Sequence, residues 1–142
     1  MKSKRGFGFL FCFAAIIAVA MPLVLLGGGD VRSTEYVITP HNPEYYTAQQ
    51  VTSAMDVVKS HFRSEYDDCK LLTIRYDDTF QAEQAPSWAE AAKNAPVIVL
   101  QSDFLVGKSG GPGFDPNSSQ SGWQWVLTLS GSTWEILSKG YC

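Results

Sequence analysis

The segment at residues 107–122 contains the residues whose types and spacing come nearest to a catalytic motif. Its Gly107-Lys108-Ser109-Gly110-Gly111 run places a serine between glycines, as in a nucleophile elbow. Such a serine needs a histidine as general base, and the chain has two histidines, His41 and His61. Pro112 follows the run at once and forbids the helix that an elbow must open. The segment therefore predicts a long glycine-rich loop, of the kind that often carries function in a small domain.

Two other residues could perform acid–base chemistry. Asp103 stands beside Phe104 in an apolar, strand-like segment, where burial would raise the pKa of its carboxyl group. Tyr76 ends another strand-like segment, and Trp125 could line the same pocket. In the alternative interpretation, Asp103 begins a turn where its strand leaves the core, because no partner base is identifiable.

The sequence predicts neither a cofactor nor a metal site. Asp115-x-Asn117-x-Ser119 begins like a calcium loop, but Gln120 stands where that loop has glycine. Val126 stands where the loop has its bidentate glutamate. The cysteines have no second cysteine or histidine at zinc-binding spacing.

Three cysteines divide between two environments. Cys12 lies in an apolar segment, where it is a small apolar residue. Cys69 and Cys142 lie in the polar part of the chain and could form a disulfide. Both could equally be free thiols, because two cysteines carry no spacing signature.

Charge separates the chain into two parts. All 14 acidic residues but only 8 of the 11 basic residues lie in residues 30–142, which gives that part a net charge of −6. A nucleic-acid-binding protein needs a basic face to displace counterions from phosphates. The composition therefore argues against a nucleic-acid partner.

The N-terminal residues 1–29 have the pattern of a membrane segment. Lys2, Lys4 and Arg5 precede an uncharged stretch whose apolar centre, Phe7 to Leu26, has 20 residues. A helix of that length spans about 30 Å, the thickness of a hydrocarbon core. We therefore expect an uncleaved, single-pass signal-anchor, with the membrane as partner and the C-terminal domain outside the cell. The alternative is a secreted protein, cleaved at the small residues Gly27 to Gly29.

The remaining chain predicts a linker over residues 30–46 and a folded domain over residues 47–142. Thr47 and Gln50 form a capping box, and apolar residues then recur at helical spacing to Phe62. Ser87-x-x-Glu90 opens a short second helix. Strand patterns cover four segments, which are 71–76, 97–106, 123–129 and 134–138. The predicted fold class is α+β, with a long helix packed on a curved antiparallel sheet of about four strands.

The region from about residue 47 to 141 resembles a family of uncharacterised, membrane-anchored or secreted domains of Gram-positive bacteria. The matching features are Cys69-x-Leu71, Tyr76-Asp77, Val97-Ile98-Val99-Leu100-x-Ser102-Asp103-Phe104, Pro116-Asn117-Ser118, Trp123-x-Trp125, Trp134 and Gly140-Tyr141. This resemblance implies a cystatin-like or NTF2-like fold, in which a curved sheet embraces a helix. It supplies no catalytic residues.

The function expected from these observations is that of a non-enzymatic, membrane-anchored, extracytoplasmic binding domain. It would bind a protein, a peptide or an envelope component through the 107–122 loop and the exposed face of the sheet. One alternative is a small NTF2-like pocket enzyme that uses Asp103 and Tyr76. Another is a secreted factor released by cleavage after the apolar segment.

Overall fold

The structure of the protein is a computed structural model that describes residues 28–39, 42 and 44–141. Within these residues, five strands and three helices follow one another irregularly along the chain. In order they are β1 (Glu35–Ile38), α1 (Ala48–Glu65), β2 (Cys69–Tyr76), α2 (Asp78–Gln84), a 3₁₀ helix (Ala85–Trp88), β3 (Val97–Val106), β4 (Ser119–Ser130) and β5 (Thr133–Gly140).

The strands form one sheet in the order β1-β2-β3-β4-β5. β1 runs parallel to β2, and the other neighbours are antiparallel. The predicted fold class is therefore wrong. The sheet has five strands instead of about four, it is mixed instead of antiparallel, and its 42 residues outnumber the 29 residues in helices, so the domain is mostly β.

Helix α1 begins where the sequence predicts, at a complete capping box. The Thr47 hydroxyl accepts from the Gln50 backbone N–H at 3.1 Å, and the Gln50 side chain accepts from the Thr47 N–H at 2.9 Å. These bonds satisfy two of the donors that a helix N-terminus leaves unpaired. One face of the helix is fully buried, through Val51, Ala54, Met55, Val58 and Phe62.

The two faces of the sheet are covered differently. The apolar face of α1 packs on one face, and the large side chains of the sheet that meet it include Ile74, Tyr76, Leu100, Phe104, Trp125 and Leu127. On the opposite face, α2 and the 3₁₀ helix cover only one end, over Val97, Val99 and Val126. Because side chains alternate along a strand, β3 is apolar on both sides where both layers cover it.

The β1 strand lies inside the segment that the sequence predicts as a linker. The contact between this segment and β2 begins at Asp30. The Asp30 backbone N–H donates to Cys69 O at 2.8 Å, and its carbonyl accepts from Leu71 N at 2.9 Å. Tyr36 and Ile38 then pack against the main core. With only four residues, β1 lacks the long alternation that identifies a strand in a sequence.

The β4–β5 ladder contains an irregularity. Val126 pairs with Ser138, but Leu127 pairs with Ile136, so Leu137 is an extra residue on β5. Such a β-bulge bends the strand and increases its twist. β5 is also the last strand of the sheet, so the bulge lies on its edge.

The predicted membrane segment falls almost entirely on residues 1–27, outside the described residues. Of the two predicted segment residues that are described, Gly28 donates its backbone N–H to the Asp67 carboxylate at 2.7 Å. Gly29 donates its N–H to Arg63 O at 2.9 Å. In the described part of the chain no helix is long and apolar enough to cross a membrane, so the predicted membrane-spanning helix is not found there.

Gln81 completes the edge of β3 beyond the point where β2 ends. Its amide group donates to Val97 O at 2.7 Å, and its amide oxygen accepts from Val99 N at 2.8 Å. The side chain is only 7% exposed. It therefore acts as a short substitute for a neighbouring strand, and it holds α2 on the sheet.

We predict that Gln81→Leu lowers the free energy of unfolding by about 1–3 kcal/mol, because it leaves the buried Val99 N–H without an acceptor. Urea denaturation of the full chain measures this change. Gln49→Leu is the matched control on an exposed position of α1, where a change within about 0.5 kcal/mol is expected. Equal losses in the two variants would contradict the role given to Gln81.

Candidate binding cleft

The connection between β3 and β4 is a loop whose two ends are tied together. Val106 N donates to Ser118 O at 2.8 Å, and Asn117 N donates to Gly107 O at 2.9 Å. Residues 107–118, hereafter the β3–β4 loop, thus leave and re-enter the sheet at one point. This is the arrangement of a compact surface loop that keeps one shape.

Asp68 fixes the β3–β4 loop to the turn that follows α1. Its carboxylate accepts from the Ser109 N–H at 2.8 Å and from the Ser109 hydroxyl at 2.6 Å. These two hydrogen bonds lower the pKa of the Asp68 carboxyl group. Gly111 has a φ of +53°, and a Cβ there would lie 2.8 Å from Asp67 O. Only glycine fits this close approach.

Phe114 attaches the far side of the loop to a cluster of aromatic rings. Its ring centroid lies 5.2 Å from that of Phe104 and 5.2 Å from that of Trp123, both in edge-to-face geometry. The ring centroid of Tyr66, the residue after α1, lies 6.1 Å from that of Phe114. Tyr141 extends the cluster outward, with its ring 5.1 Å from Trp123. Edge-to-face pairs at these distances are favourable beyond the area that they bury.

A cleft opens between the β3–β4 loop, the end of α1 and strands β4 and β5. Its volume is about 390 Å³, and its lining residues are Glu65, Tyr66, Pro112, Gly113, Phe114, Trp123 and Lys139. We call it the aromatic cleft. It lies within the size range of sites that take small ligands or a few side chains of a partner.

Lys139 places a positive charge at the rim of the aromatic cleft. Its Nζ lies 5.6 Å from the ring centroid of Tyr66 and donates to His61 Nε2 at 2.7 Å. Burial and the charge of Lys139 both lower the pKa of His61. This favours the neutral imidazole, whose Nε2 can accept from the ammonium group.

Asp103 lies on the sheet face opposite α1, outside the aromatic cleft. Its carboxylate accepts from Thr73 Oγ1 at 2.7 Å, from Ser121 Oγ at 3.0 Å and from Gly122 N at 3.1 Å. It also forms an ion pair with Arg75. Burial alone would raise the pKa of Asp103, but the hydrogen bonds to the ionised form outweigh it, and the pKa is lowered.

Tyr76 and Trp125 lie on the other side of the sheet, in the core beneath α1. Burial is the main cause that raises the pKa of Tyr76, and the neighbouring carboxylate of Asp78 adds to it. Trp125 is fully buried, and its Nε1 donates to Ser102 Oγ at 2.8 Å. The structure thus brings Tyr76 and Trp125 onto one face but separates both from Asp103.

Cys69 is buried at the start of β2, and burial together with the nearby Asp68 and Asp67 carboxylates raises the pKa of its thiol to about 11. Cys142 lies outside the described residues, so the Cys69–Cys142 disulfide stays a prediction. His41 and Cys12 also lie outside them. In the described ranges no group of three histidine, cysteine, aspartate or glutamate residues is placed to hold a metal ion.

The sequence predicted a loop over residues 107–122, of which residues 119–122 belong to β4, and it did not identify the residues that line the cleft opposite the loop. Tyr66 follows α1, whereas Lys139 and Tyr141 lie two residues apart at the end of β5 and just after it, so both places are distant from the loop in sequence. The one available indication was that Phe114 is a large apolar residue inside a glycine-rich loop, which predicts an anchor into a core.

No family model, curated protein or solved structure matches this chain. The resemblance to cystatin-like and NTF2-like domains therefore stays a prediction, and the site is interpreted from its own geometry.

We predict that Asp103→Asn lowers the free energy of unfolding at pH 7 by about 2 kcal/mol, because it weakens four contacts to an ionised group. The lowered pKa means that this stabilisation is present above the unfolded pKa of about 3.9 and is lost as the pH falls through the folded value. The difference in the free energy of unfolding between wild type and variant, measured by urea unfolding, should therefore become smaller from pH 5 to pH 2. Asp115→Asn, on the exposed loop, is the control; a gap that does not change with pH would contradict the prediction.

A second prediction concerns the anchor of the loop. Asp68→Ala should release the β3–β4 loop and raise the amide hydrogen-exchange rate of Ser109 at least severalfold, because the N–H loses its acceptor. Exchange at Val99, in the core of β3, should not change. Asp115→Ala in the same loop is the matched control, and equal exchange in the two variants would count against the anchoring role.

Proposed function

We propose that this protein is a binding domain that recognises an extended peptide segment of a partner protein in the aromatic cleft. One observation carries the proposal: a rigid loop and the sheet enclose a cleft of about 390 Å³ between aromatic walls. Aromatic side chains are enriched at protein-binding surfaces and supply much of the binding energy there.

The rigidity of the walls supports this function. Asp68 holds the β3–β4 loop from one side, and Phe114 holds it from the other through contacts with Phe104 and Trp123. A cleft that is already formed loses little conformational entropy when a ligand enters. An apolar or aromatic side chain of the partner would lie against Trp123 and Phe114.

The rim supports an extended peptide as ligand. Lys139 offers an ammonium group that can donate to a peptide carbonyl, and Glu65 can accept from a peptide N–H. Tyr141, which is 55% exposed, offers a ring face beside Trp123. Apolar walls with a few polar groups at the edge are typical of recognition sites in which the polar groups set orientation.

The geometry around Asp103 does not favour the pocket-enzyme alternative. That carboxylate is held ionised by four contacts on the outer sheet face, whereas Tyr76 is buried beneath α1. A general acid and base must reach the same substrate atoms within hydrogen-bond distance. These two residues face opposite sides of the sheet, so the binding function is preferred.

The test selects ligands for the full chain from a displayed library of random peptides and measures their affinity by fluorescence anisotropy. Tyr141→Ala should weaken binding of the selected peptides about tenfold, which is the loss typical of a truncated aromatic contact at an interface. Tyr45→Ala is the matched control, because Tyr45 is 57% exposed but lies far from the aromatic cleft. The Tyr45→Ala variant should bind the selected peptides with the affinity of the wild type.

A spectroscopic measurement tests the location directly. In protein labelled with 5-fluorotryptophan, peptide binding should shift the ¹⁹F resonance of Trp123 and leave that of Trp88, on the other sheet face, in place. The proposal is overturned if the library yields no binding peptide, or if the selected peptides shift Trp88 and not Trp123.

A further inference from the structure

His61 lines one cleft of the domain and contacts residues that line another. The first is a groove between α1 and β5, with a volume of about 490 Å³, and His61 is part of its lining. The second is the aromatic cleft, whose lining includes Tyr66 and Lys139. The imidazole is partly exposed, so water in the groove can deliver a proton to it.

The ammonium group of Lys139 is held in place by two aromatic residues at the end of α1. Its Nζ donates to His61 Nε2 at 2.7 Å and lies 5.6 Å from the ring centroid of Tyr66. The bond to His61 needs a free lone pair on Nε2, which the neutral imidazole has and the protonated imidazole lacks. The position of the positive charge at the aromatic cleft therefore depends on the protonation state of His61.

Besides Lys139, three titratable residues surround His61. Glu65 follows one turn further along α1, and its charge favours the protonated imidazole. Glu135, on β5, lines the same groove. The Tyr66 ring lies edge-on to the imidazole, with 6.2 Å between the centroids, and burial raises the pKa of Tyr66 to about 12, so it stays neutral. Burial, and after it the charge of Lys139, lower the pKa of His61. Protonation therefore begins at a lower pH than in a free histidine.

We propose that His61 makes the aromatic cleft sensitive to pH, because protonation of its imidazole displaces Lys139 from the wall of the cleft. The protonated ring carries donors on both nitrogens, so it cannot accept from the ammonium group. It also places a second positive charge next to the ammonium nitrogen, and like charges at hydrogen-bond distance repel each other. Lys139 is an exposed residue, so its ammonium group can move into solvent.

The consequence for ligands rests on the proposed function. There, Lys139 donates to a carbonyl group of the peptide at the rim of the aromatic cleft. When the ammonium group leaves the rim, this donor is lost, so peptides should bind more weakly at acidic pH. The movement of Lys139 itself can be tested without a peptide.

The first experiment titrates the full chain, labelled with 5-fluorotryptophan, from pH 8 to pH 4.5. Proton–carbon NMR follows the imidazole of His61, whose signal is identified by its loss in His61→Gln. Its midpoint should lie below the usual value of about 6.5. The ¹⁹F resonance of Trp123, which lines the aromatic cleft together with Lys139, should shift with the same midpoint. The resonance of Trp88, on the other sheet face, should not follow it.

Three variants separate the Lys139–His61 bond from other effects of pH. His61→Gln keeps an acceptor but does not titrate, so the Trp123 resonance should stay in place over the whole range. Lys139→Met removes the ammonium group and keeps an unbranched side chain, so the pKa of His61 should rise and Trp123 should no longer follow it. Lys70→Met, at an exposed position of β2, is the matched control and should titrate as the wild type does. Circular dichroism checks that each variant keeps the fold.

The second experiment uses a peptide selected from the random library that contains no histidine, aspartate or glutamate. Its Kd for the wild type, measured by fluorescence anisotropy, should rise about fivefold from pH 7.5 to pH 5, because the charged donor is lost. Its Kd for His61→Gln should be the same at both pH values.

Three results would overturn the inference. The Trp123 resonance could stay in place while His61 titrates, His61→Gln could show the pH dependence of the wild type, or the peptide could bind the wild type equally at both pH values. If the library yields no binding peptide, the proposed function fails. The titration of Trp123 still decides in that case whether His61 displaces Lys139.

Discussion

The burial of β3 is the constraint on which the rest of the structure depends. Its first residues are apolar on both sides, so they require α1 on one face of the sheet and α2 with the 3₁₀ helix on the other. Beyond Ser102 only one face is covered, and the uncovered side carries Asp103 and its polar partners instead of apolar residues. The change from two-sided to one-sided burial thus sets where the second layer ends and where the β3–β4 loop leaves the sheet.

Local patterns in the sequence predicted the elements that depend on local physics. The capping box at Thr47 and Gln50 and the apolar repeat to Phe62 place α1 correctly, and the alternation of tryptophans predicts β4. The place of β1 in the sheet and its parallel pairing with β2 depend on contacts between residues about 40 positions apart. No local sequence pattern contains such contacts. For that reason, the prediction of an antiparallel sheet of about four strands is wrong.

The candidate site could be predicted only in part for the same reason. The composition of residues 107–122 identified the loop, but the cleft also needs Tyr66, from the end of α1, and Lys139, from β5. Asp103 and Tyr76 do not share a pocket, because successive side chains along a strand point to opposite faces of the sheet. Asp103 alternates with Ser102 and Phe104, which face α1, so its own side chain faces outward. A one-residue difference in register decides which face a side chain occupies.

The bulge at Leu137 has a consequence for how this domain meets other chains. β5 is an outermost strand, and a straight outermost strand offers a row of free amide and carbonyl groups that a foreign strand can adopt as a template. The bulge breaks the regular spacing of that row, and the exposed side chains of Glu135 and Lys139 place charges along it. At the other margin, β1 is only four residues long. Both edges of the sheet are therefore poorly suited to pairing with a strand of another chain.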